Sequence, residues 1–345
     1  MTQSAAAGAA PLEFRNVTKR YAGAPTPAIN DLSFTVPAGE VCVLVGPSGC
    51  GKTTAMRMVN RMIDISGGDI LIDGKGVKNR QPSDLRREIG YVIQNVGLFP
   101  HLNITNNIGT VPRLLGWDKK RIAKRSAELL ELIGLPAEMG KRYPSQLSGG
   151  QRQRVGVARA LAADPPLMLM DEPFGAIDPI NRDNLQNQFL RLQQEIRKTI
   201  VFVTHDIDEA IKMGDRIAIL REGGELVQYD TPDAILANPA NEFVAKFVGE
   251  DRGLKRLALS TLETVELERT GAGSAPDGPA LPITATLRDA LSALMTETAQ
   301  ALPVTDAQGQ VVGQVGIEQI NAVLRRPVQS NSGAGTSPSL EKSAQ

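Results

Sequence analysis

The sequence predicts an α/β fold with a parallel sheet, followed by a smaller α+β domain. Three apolar runs, Val41–Val45, Leu167–Met170 and Thr199–Val203, have the composition of strands buried on both faces. The first run leads into a glycine-rich loop, and a helix pattern begins at Lys52. Each run also ends in polar residues, and ligands bind at the carboxyl ends of the strands in open α/β sheets. We therefore expect a ligand site at that edge of the sheet.

Composition limits the function classes. The chain has 345 residues, enough for more than one domain, and 41% of them are hydrophobic. Its 38 Lys and Arg balance 38 Asp and Glu, so no basic excess suggests a nucleic-acid partner. The two cysteines, Cys42 in an apolar run and Cys50 in the glycine-rich loop, suggest neither a disulfide nor a metal site and agree with a reducing cytosol. We find no apolar run long enough to span a bilayer.

The first half of the chain predicts short strands followed by helices. Residues 1–11 read as a disordered lead without the basic and apolar segments of a signal peptide. Short β-like runs follow at Leu12–Val17 and Leu32–Val36. Between Gln94 and Leu147 the composition becomes helical, with the strongest periodicity at Lys119–Ile133.

The pattern changes after Glu250. Residues 269–282 are rich in Gly, Pro, Ala and Ser and predict a loop, and residues 327–345 predict a disordered tail. Between them we expect a helix, two strands at Ala301–Thr305 and Gln310–Val315, and a second helix. Each helix has an apolar stripe, formed by Leu287, Ala290, Leu291, Leu294 and Met295 in the first and by Ile317, Ile320 and Leu324 in the second.

The glycine-rich loop matches the phosphate-binding pattern G-x-x-x-x-G-K-[ST], which indicates that a nucleoside triphosphate binds with magnesium. Its glycines let backbone N–H groups close on phosphates at a helix N-terminus. Lys52 would neutralise β- and γ-phosphate charge, and the Thr53 hydroxyl would ligate Mg²⁺. A chance glycine-rich turn is the alternative, and the flanking strand and helix disfavour it. The loop residues assigned to nucleotide binding are Gly46, Pro47, Ser48, Gly49, Cys50, Gly51, Lys52, Thr53 and Thr54.

A second glycine-rich turn, Leu147-Ser148-Gly149-Gly150-Gln151, opens another helix and cannot reach the same nucleotide from within one compact domain. Two chains placed head to tail would put each LSGGQ over the phosphates of the other. Together the two motifs resemble those of ABC ATPases, and the resemblance covers about residues 12–248. It implies a P-loop NTPase ABC cassette at 12–250 with a helical subdomain at about 95–160. Residues 251–326 resemble a single CBS repeat.

The resemblance also implies the catalytic groups. Asp171 would hold Mg²⁺ through water, and Glu172 would polarise the attacking water as general base; a helix-start pair is the alternative. His205 matches the switch histidine that touches the γ-phosphate and orients Glu172, although a lone histidine is more often structural. Gln94 matches the glutamine that reaches the metal and the water, against the alternative of a surface amide at a strand end.

The remaining implied contacts concern the nucleotide. Tyr21 fits the aromatic residue that stacks on adenine, and a packed surface ring is the alternative. Asp178 matches the loop that crosses the dimer interface. The side chains and backbone implied to contact the nucleotide of the opposing subunit are those of Ser148, Gly149, Gly150 and Gln151.

Three segments resemble the ATPases of importers for glycine betaine, choline or carnitine: Ile89–Gln94, Gly97–His101 and Val111–Trp117. That family implies ATP and Mg²⁺, a homodimer, separate permease chains and, indirectly, a solute-binding protein. The chain would lie at the cytoplasmic side of the plasma membrane, and Gly97–His101 would form part of the surface that docks on the permease. Methionine, polyamine or metal import is an alternative, as is a regulatory ABC ATPase without a permease.

The single CBS-like repeat departs from that family, in which two repeats are common. Because such repeats stack in pairs, we expect the two apolar stripes to pair across the ATPase dimer, either as a regulator or as a structural brace.

Overall fold

The computed structural model describes residues 8–93, 96–175, 177–268 and 278–326, without the side chains at 179–181. In chain order the strands of these ranges are β1 (Leu12–Lys19), β2 (Ile29–Val36), β3 (Val41–Val45), β4 (Gly67–Ile72), β5 (Lys75–Gly76), β6 (Ile89–Val92), β7 (Leu167–Asp171), β8 (Thr199–Val203), β9 (Arg216–Arg221), β10 (Glu225–Asp230), β11 (Leu281–Pro282), β12 (Ala301–Thr305) and β13 (Val311–Gly316).

The α-helices of the same ranges are α1 (Lys52–Val59), α2 (Pro82–Glu88), α3 (Ile104–Ile108), α4 (Thr110–Leu114), α5 (Lys119–Leu132), α6 (Gly149–Leu161), α7 (Pro179–Ile196), α8 (Ile207–Met213), α9 (Pro232–Ala237), α10 (Glu242–Val248), α11 (Arg252–Leu259), α12 (Leu287–Glu297) and α13 (Ile317–Arg325). None of the helices described has both the length and the apolar character needed to cross a bilayer.

The described residues up to Tyr229 form one compact unit, built on a six-stranded sheet with the order β10-β9-β3-β8-β7-β6. β8 lies between β3 and β7 and is parallel to both. Every residue of β3 and β8 is buried, as their continuous apolar composition predicts. The three predicted strands are therefore neighbours, and the polar residues that follow them meet at one edge of the sheet.

A second sheet in this unit is antiparallel, with the order β2-β1-β4-β5. The rings of Phe14 and Phe34 stack across the β1–β2 pair with centroids 4.6 Å apart. Apolar residues from both sheets, together with Met56 and Val59 of α1, form one buried core. Because α1 belongs to this core, the helix that carries Lys52 is fixed to both sheets.

Helices α3, α5 and α6 follow β6 and precede β7 in the chain, and they pack against one another. The observed α5 agrees with the periodicity predicted at Lys119–Ile133, and its N-terminus is capped by Asp118, whose side chain accepts a hydrogen bond from the Arg121 N–H at 2.9 Å. Arg159 of α6 donates to the Val96 and Gly97 carbonyls at 2.5 and 2.7 Å, which fixes the segment after β6 to this helical region.

The second compact unit comprises the described residues from Asp230 onward. It contains α9–α11 followed by the order β11–α12–β12–β13–α13, a β-α-β-β-α succession. The buried Arg256 of α11 donates to an Asp233 carboxylate oxygen at 2.6 Å and to the Leu324 carbonyl at 2.8 Å. These contacts tie the segment before residue 250 to the C-terminal elements, so the compact unit begins about twenty residues before the boundary that the sequence suggests. The CBS-like assignment itself stays a prediction.

The structure corrects the two apolar stripes of this unit. Leu287, Ala290, Leu294 and Ile320 are buried inside the unit, in a core that also contains Leu257 of α11. Met295 and Ile317, which the sequence places on the same stripes, are instead 73% and 51% exposed. The stripes are therefore largely covered by the unit's own elements and do not form two open apolar faces.

Candidate functional site

The phosphate-binding loop connects β3 to α1, and two of its glycines are required by geometry. Gly51 precedes α1 with φ +95°, and a Cβ on it would lie 2.5 Å from the Ala28 carbonyl oxygen. Gly46 has φ +154°, and its Cβ would lie 2.2 Å from the Leu220 carbonyl oxygen. No side chain caps the first turn of α1, so its N–H groups face the loop without a capping oxygen.

The cation of the loop is held inside it. Lys52 is only 8% exposed, and its Nζ donates to the Gly46 and Pro47 carbonyls at 2.7 and 3.0 Å. The same Nζ lies 3.6 Å from the Sγ of Cys50, which is fully buried and free. Ser48 and Gly49 are exposed at the tip of the loop. The Lys52 cation is therefore buried within the loop, whose tip at Ser48 and Gly49 is exposed.

The sheet edge brings the loop together with the end of β7. The Thr53 hydroxyl, on the first turn of α1, donates to an Asp171 carboxylate oxygen at 3.4 Å. Burial raises the pKa of Asp171, and the neighbouring Glu172 carboxylate adds to that effect. Arg57 opposes it electrostatically. Sequence reasoning missed Arg57, although its position four residues after Thr53 places it on the same side of α1.

Glu172 and His205 contact each other beside Thr53 and Asp171. The Glu172 Oε1 lies 3.1 Å from the His205 Nδ1, although the two residues are 33 positions apart. Glu172 has φ +42°, a left-handed conformation, and its N–H donates to the Val203 carbonyl at 2.9 Å. Because this conformation is costly for a residue with a side chain, it is held by the surrounding structure. The carboxylate and the imidazole therefore face each other at the ends of β7 and β8.

A buried hydrogen bond, which sequence reasoning did not find, supports the histidine side of the site. Asp206 caps α8 by accepting from the N–H groups of Asp208 and Glu209 at 2.9 and 3.2 Å. One turn later the buried Glu209 carboxylate accepts from the Gln186 Nε2 at 2.9 Å. Burial raises the pKa of Glu209. Helices α7 and α8 are thereby joined directly after the two loops that carry Asp178 and His205.

The LSGGQ segment has a different geometry. Ser148 is the N-cap of the 13-residue helix α6, and its hydroxyl accepts from the Gln151 N–H at 3.2 Å. The Gln151 side chain accepts in return from the Ser148 N–H at 3.0 Å. Ser148 and Gly149 are exposed, whereas Gly150 and Gln151 are partly buried. These two hydrogen bonds between Ser148 and Gln151 lie within the segment itself.

The other predicted nucleotide contacts lie at separate places. Tyr21 is 44% exposed after β1, and the Lys19 Nζ lies 5.0 Å from its ring centroid. Asp178 is exposed directly before α7, and its carbonyl accepts from the Arg182 N–H at 2.9 Å. Thr54 is partly buried on α1. Gln94 lies outside the described residues.

The donors at the sheet edge suit a magnesium ion. Mg²⁺ prefers oxygen ligands and binds through one or two carboxylates together with water and substrate phosphates. The Thr53 hydroxyl and the Asp171 carboxylate supply one hydroxyl and one carboxylate side by side. Over the described ranges there is no group of three or more His, Cys, Asp or Glu residues that could hold a metal ion. Thr53 and Asp171 would each supply one ligand, and water and substrate phosphates would supply the others.

Comparison with known proteins agrees with this arrangement. The family model described as ABC transporter matches residues 29–175, which include the phosphate-binding loop, LSGGQ and Glu172. The osmoprotectant import ATP-binding protein OsmV of Salmonella typhimurium is 49% identical over 308 residues, covering 88% of this chain and 78% of that protein. The glycine betaine/carnitine/choline transport ATP-binding protein OpuCA of Bacillus subtilis is 48% identical over 312 residues, covering 90% of this chain and 79% of that protein.

A solved structure gives the same result for the fold. The ATP-binding cassette MJ0796, described as a dimer in a post-hydrolysis state bound to ADP and Pi, superposes with a TM-score of 0.56 at 32% identity. The match covers 64% of this chain and 98% of that one. The ABC cassette fold and the family resemblance predicted from the sequence are confirmed, and the CBS-like C-terminal domain stays a prediction. This chain belongs to the family of ABC transporter ATP-binding proteins, and it is the ATPase component of such a transporter.

Proposed function

We propose that this chain hydrolyses ATP to drive the import of compact quaternary-amine osmoprotectants such as glycine betaine, carnitine or choline. The contact between Glu172 and His205 carries the catalytic part of the proposal. The high identity to two importer ATPases over most of the chain supports the solute class. The cassette does not itself touch the solute, so the solute is inferred from relatives and not from the site.

The residues at the sheet edge support in-line attack of water on the γ-phosphate. Glu172 would take a proton from the attacking water while the oxygen forms its bond to phosphorus and the bond to the β-phosphate oxygen breaks. His205, 3.1 Å from that carboxylate, would hold it in the orientation needed. Lys52 would leave the loop carbonyls to neutralise the β- and γ-phosphates, which takes its charge to the phosphate oxygens. The products are ADP and phosphate.

Thr53 and Asp171 are proposed to hold Mg²⁺, and Gln94 to reach both the metal and the water. When bound, the ion would neutralise charge on the transferring phosphate. Asp171 is suited to this position because its carboxylate is partly buried beside the Thr53 hydroxyl. A cation placed there would also offset the mutual repulsion of Asp171 and Glu172, which helps to raise the pKa of Asp171.

The second half of each site is proposed to come from another copy of the chain. Ser148 and Gly149 are exposed at the start of α6, and their placement leaves them accessible to a facing subunit. Hydroxyl and N–H groups supplied across the interface would stabilise the transferring phosphoryl group only after the dimer closes. Asp178, exposed before α7, would meet the same interface. Tyr21 would stack on the adenine of its own subunit's nucleotide.

Permease docking is proposed on the helical region. Phe99, Leu114 and Leu115 expose 41%, 61% and 43% of their surface. Asn107 fixes the backbone at Phe99, because its side chain accepts from the Phe99 N–H at 2.7 Å and donates to the Phe99 carbonyl at 3.1 Å. Exposed apolar side chains on a fixed backbone are typical of a protein-binding surface. Through this contact the chain would be held at the cytoplasmic face of the plasma membrane, beside a permease that receives solute from a binding protein.

An uptake assay tests the proposed solute. The chain and its cognate permease and binding protein would be expressed in a strain without other importers for these solutes. Labelled glycine betaine, methionine and spermidine would then be offered separately. We expect uptake of glycine betaine alone, rising with external osmolarity and lost with Glu172→Gln. Uptake of methionine or spermidine without glycine betaine would contradict the solute class while leaving the ATPase assignment intact.

A further inference from the structure

His205 lies in a short turn between two residues that are themselves fixed. Its side chain is 64% exposed, and its Nδ1 lies 3.1 Å from the Glu172 carboxylate. Exposed side chains change rotamer readily, so packing around the imidazole does little to orient it. The preceding residue, Thr204, is buried, and its hydroxyl accepts from the Asp206 N–H at 3.1 Å. The position of the imidazole therefore depends on the backbone turn between Thr204 and Asp206.

This turn leads directly into α8, whose first turn is anchored by a buried carboxylate. Asp206 caps the helix and accepts from the Glu209 N–H at 3.2 Å. The Glu209 side chain, which is 8% exposed, accepts from the Nε2 of Gln186, which is 6% exposed, at 2.9 Å. Gln186 lies on α7, a helix of 18 residues, whereas α8 has seven. The hydrogen bond thus ties the short helix, and with it the turn at His205, to a longer one.

Fold stability alone does not explain a carboxylate at position 209. Burial raises the pKa of Glu209, while hydrogen bonds from Thr204 and Gln186 and the positive charge of Arg182 oppose that effect. Apolar side chains of similar volume would join α7 to α8 without the cost of desolvating a charge. A satisfied buried polar contact differs from an apolar one because it specifies a single arrangement of the two helices.

We propose that Glu209 and Gln186 are positioning residues for ATP hydrolysis, and that their buried hydrogen bond holds the His205 imidazole against Glu172 by fixing α8. They act through His205, and neither is assigned a contact with the nucleotide. A small misplacement of a catalytic group lowers the rate of the chemical step. ATP affinity should not depend on this bond, because the phosphate-binding loop takes no part in it. The inference rests on the roles of Glu172 and His205 in the proposed function.

Gln186→Leu and Gln193→Leu are a matched pair of variants that test the proposal. Gln193 is also buried on α7, and its Nε2 donates to the Gly39 and Lys198 carbonyls at 3.1 and 2.7 Å. That contact lies at the start of β8, whereas His205 follows the other end of the strand. We expect Gln186→Leu to lower kcat by about 10- to 100-fold. The KM for ATP and the equilibrium binding of a fluorescent ATP analogue should be unchanged, and Gln193→Leu should retain kcat.

Two changes at position 209 separate positioning from a purely structural role. Glu209→Gln keeps an oxygen that can accept from Gln186, so it should retain a kcat close to that of wild type. Glu209→Leu combined with Gln186→Leu leaves neither partner without a hydrogen bond, so this double variant should melt close to wild type. Its kcat should nevertheless be as low as that of Gln186→Leu. A double variant that is stable and fully active would overturn the proposal.

NMR of selectively labelled histidine detects the position of His205 directly. The chain has only two histidines, and His101, which precedes α3, serves as the internal reference. Gln186→Leu should shift the His205 imidazole signal and leave the His101 signal in place, and Gln193→Leu should move neither. An unmoved His205 signal in Gln186→Leu, or an equal fall of kcat in Gln193→Leu, would overturn the proposal.

His205→Ala distinguishes failure of this inference from failure of the proposed function. Normal turnover of Gln186→Leu beside an inactive His205→Ala would reject the positioning role alone. Normal turnover of His205→Ala would reject the catalytic role of the histidine and the positioning role with it.

Discussion

The helices after the two glycine-rich motifs begin in opposite ways. Helix α1 starts at Gly51 with no side-chain cap, and the buried Lys52 lies at its first turn. Helix α6 starts at Ser148, whose hydroxyl accepts from the Gln151 N–H and whose own N–H is bound by the Gln151 side chain. The first helix thus begins with uncapped N–H groups beside a buried lysine, whereas the second begins at an exposed serine and is capped by its own residues.

The difference separates two kinds of binding element. The phosphate-binding loop is tied into the fold, because Thr53 contacts Asp171 at the end of β7. The start of α6 at LSGGQ is capped by its own residues, since the hydrogen bonds between Ser148 and Gln151 close within one helical turn. In the proposed site, the phosphate-binding loop and the ends of β7 and β8 bind the nucleotide of their own chain. LSGGQ binds the nucleotide of a second copy of the chain.

The largest expected effect comes from changing the half that is assembled within the chain. Glu172→Gln removes the proposed general base while keeping the side-chain volume, so hydrolysis should fall by about 10² to 10⁴-fold. ATP binding should persist, because Lys52 and Thr53 are unchanged. Steady-state phosphate release and equilibrium binding of a fluorescent ATP analogue measure the two effects. Glu138→Gln, the same change at an exposed position of the helical region, serves as the control and should retain full turnover.

Near-normal turnover of Glu172→Gln would remove this carboxylate from the mechanism. A loss of ATP binding in the same variant would instead indicate that the edge of the sheet had been disturbed.

A substitution in LSGGQ should reduce hydrolysis for a different reason. Ser148→Arg removes a proposed contact to the partner's nucleotide and places a bulky side chain in its path, so we expect hydrolysis to fall by at least about 10²-fold. Isolated monomers should still bind ATP. Since Ser148 also caps α6, the variant should lose roughly 1 kcal/mol of stability. Asp118→Ala, which removes the cap of α5, controls for that loss and should keep its activity.

Mixing two inactive variants tests whether the two motifs act on the same nucleotide from different subunits. Lys52→Ala subunits are inactive because they lack the phosphate-binding cation, and Ser148→Arg subunits because they lack the second half. A heterodimer of the two carries one composite site with both Lys52 and Ser148 intact. We expect the mixture to recover part of the hydrolysis that neither variant has alone. Failure to recover any activity in demonstrated heterodimers would contradict the head-to-tail arrangement.

Sequence patterns predicted the elements that are determined by residues close together in the chain. The strands Val41–Val45 and Thr199–Val203 are observed with the predicted bounds, because short apolar runs rich in β-branched residues favour strands that are buried on both faces of a parallel sheet. The glycine requirement at Gly51 likewise follows from a sharp turn before a helix. The Glu172–His205 contact was anticipated only through the family resemblance, since the two residues are 33 positions apart.

Features set by tertiary packing were not predicted. The Gln186–Glu209 hydrogen bond joins two helices whose individual sequences give no sign of a buried pair. The exposure of Met295 and Ile317 had no local signal either, because periodicity identifies an apolar face without showing how far the neighbouring elements cover it. The contacts of Arg256 with Asp233 and Leu324 similarly join segments far apart in sequence.

The smallest expected difference between the two regions is electrostatic. LSGGQ contains no titratable side chain, whereas the catalytic side includes the buried Glu209, whose pKa is raised above its ordinary value, chiefly by burial. Between the ordinary and the raised pKa, the folded state binds more protons than the unfolded state, so stability contributed by this group falls as pH rises.

Glu209→Gln keeps an amide oxygen that can accept from Gln186 and removes the titration. The melting temperature of the variant relative to wild type should therefore increase as pH rises from about 4.5 toward neutrality. Thermal melts across that range, with Glu138→Gln as the exposed control, measure the change. Parallel curves for wild type and Glu209→Gln would show that the carboxylate does not couple folding to pH, and the electrostatic contrast between the two regions would then be lost.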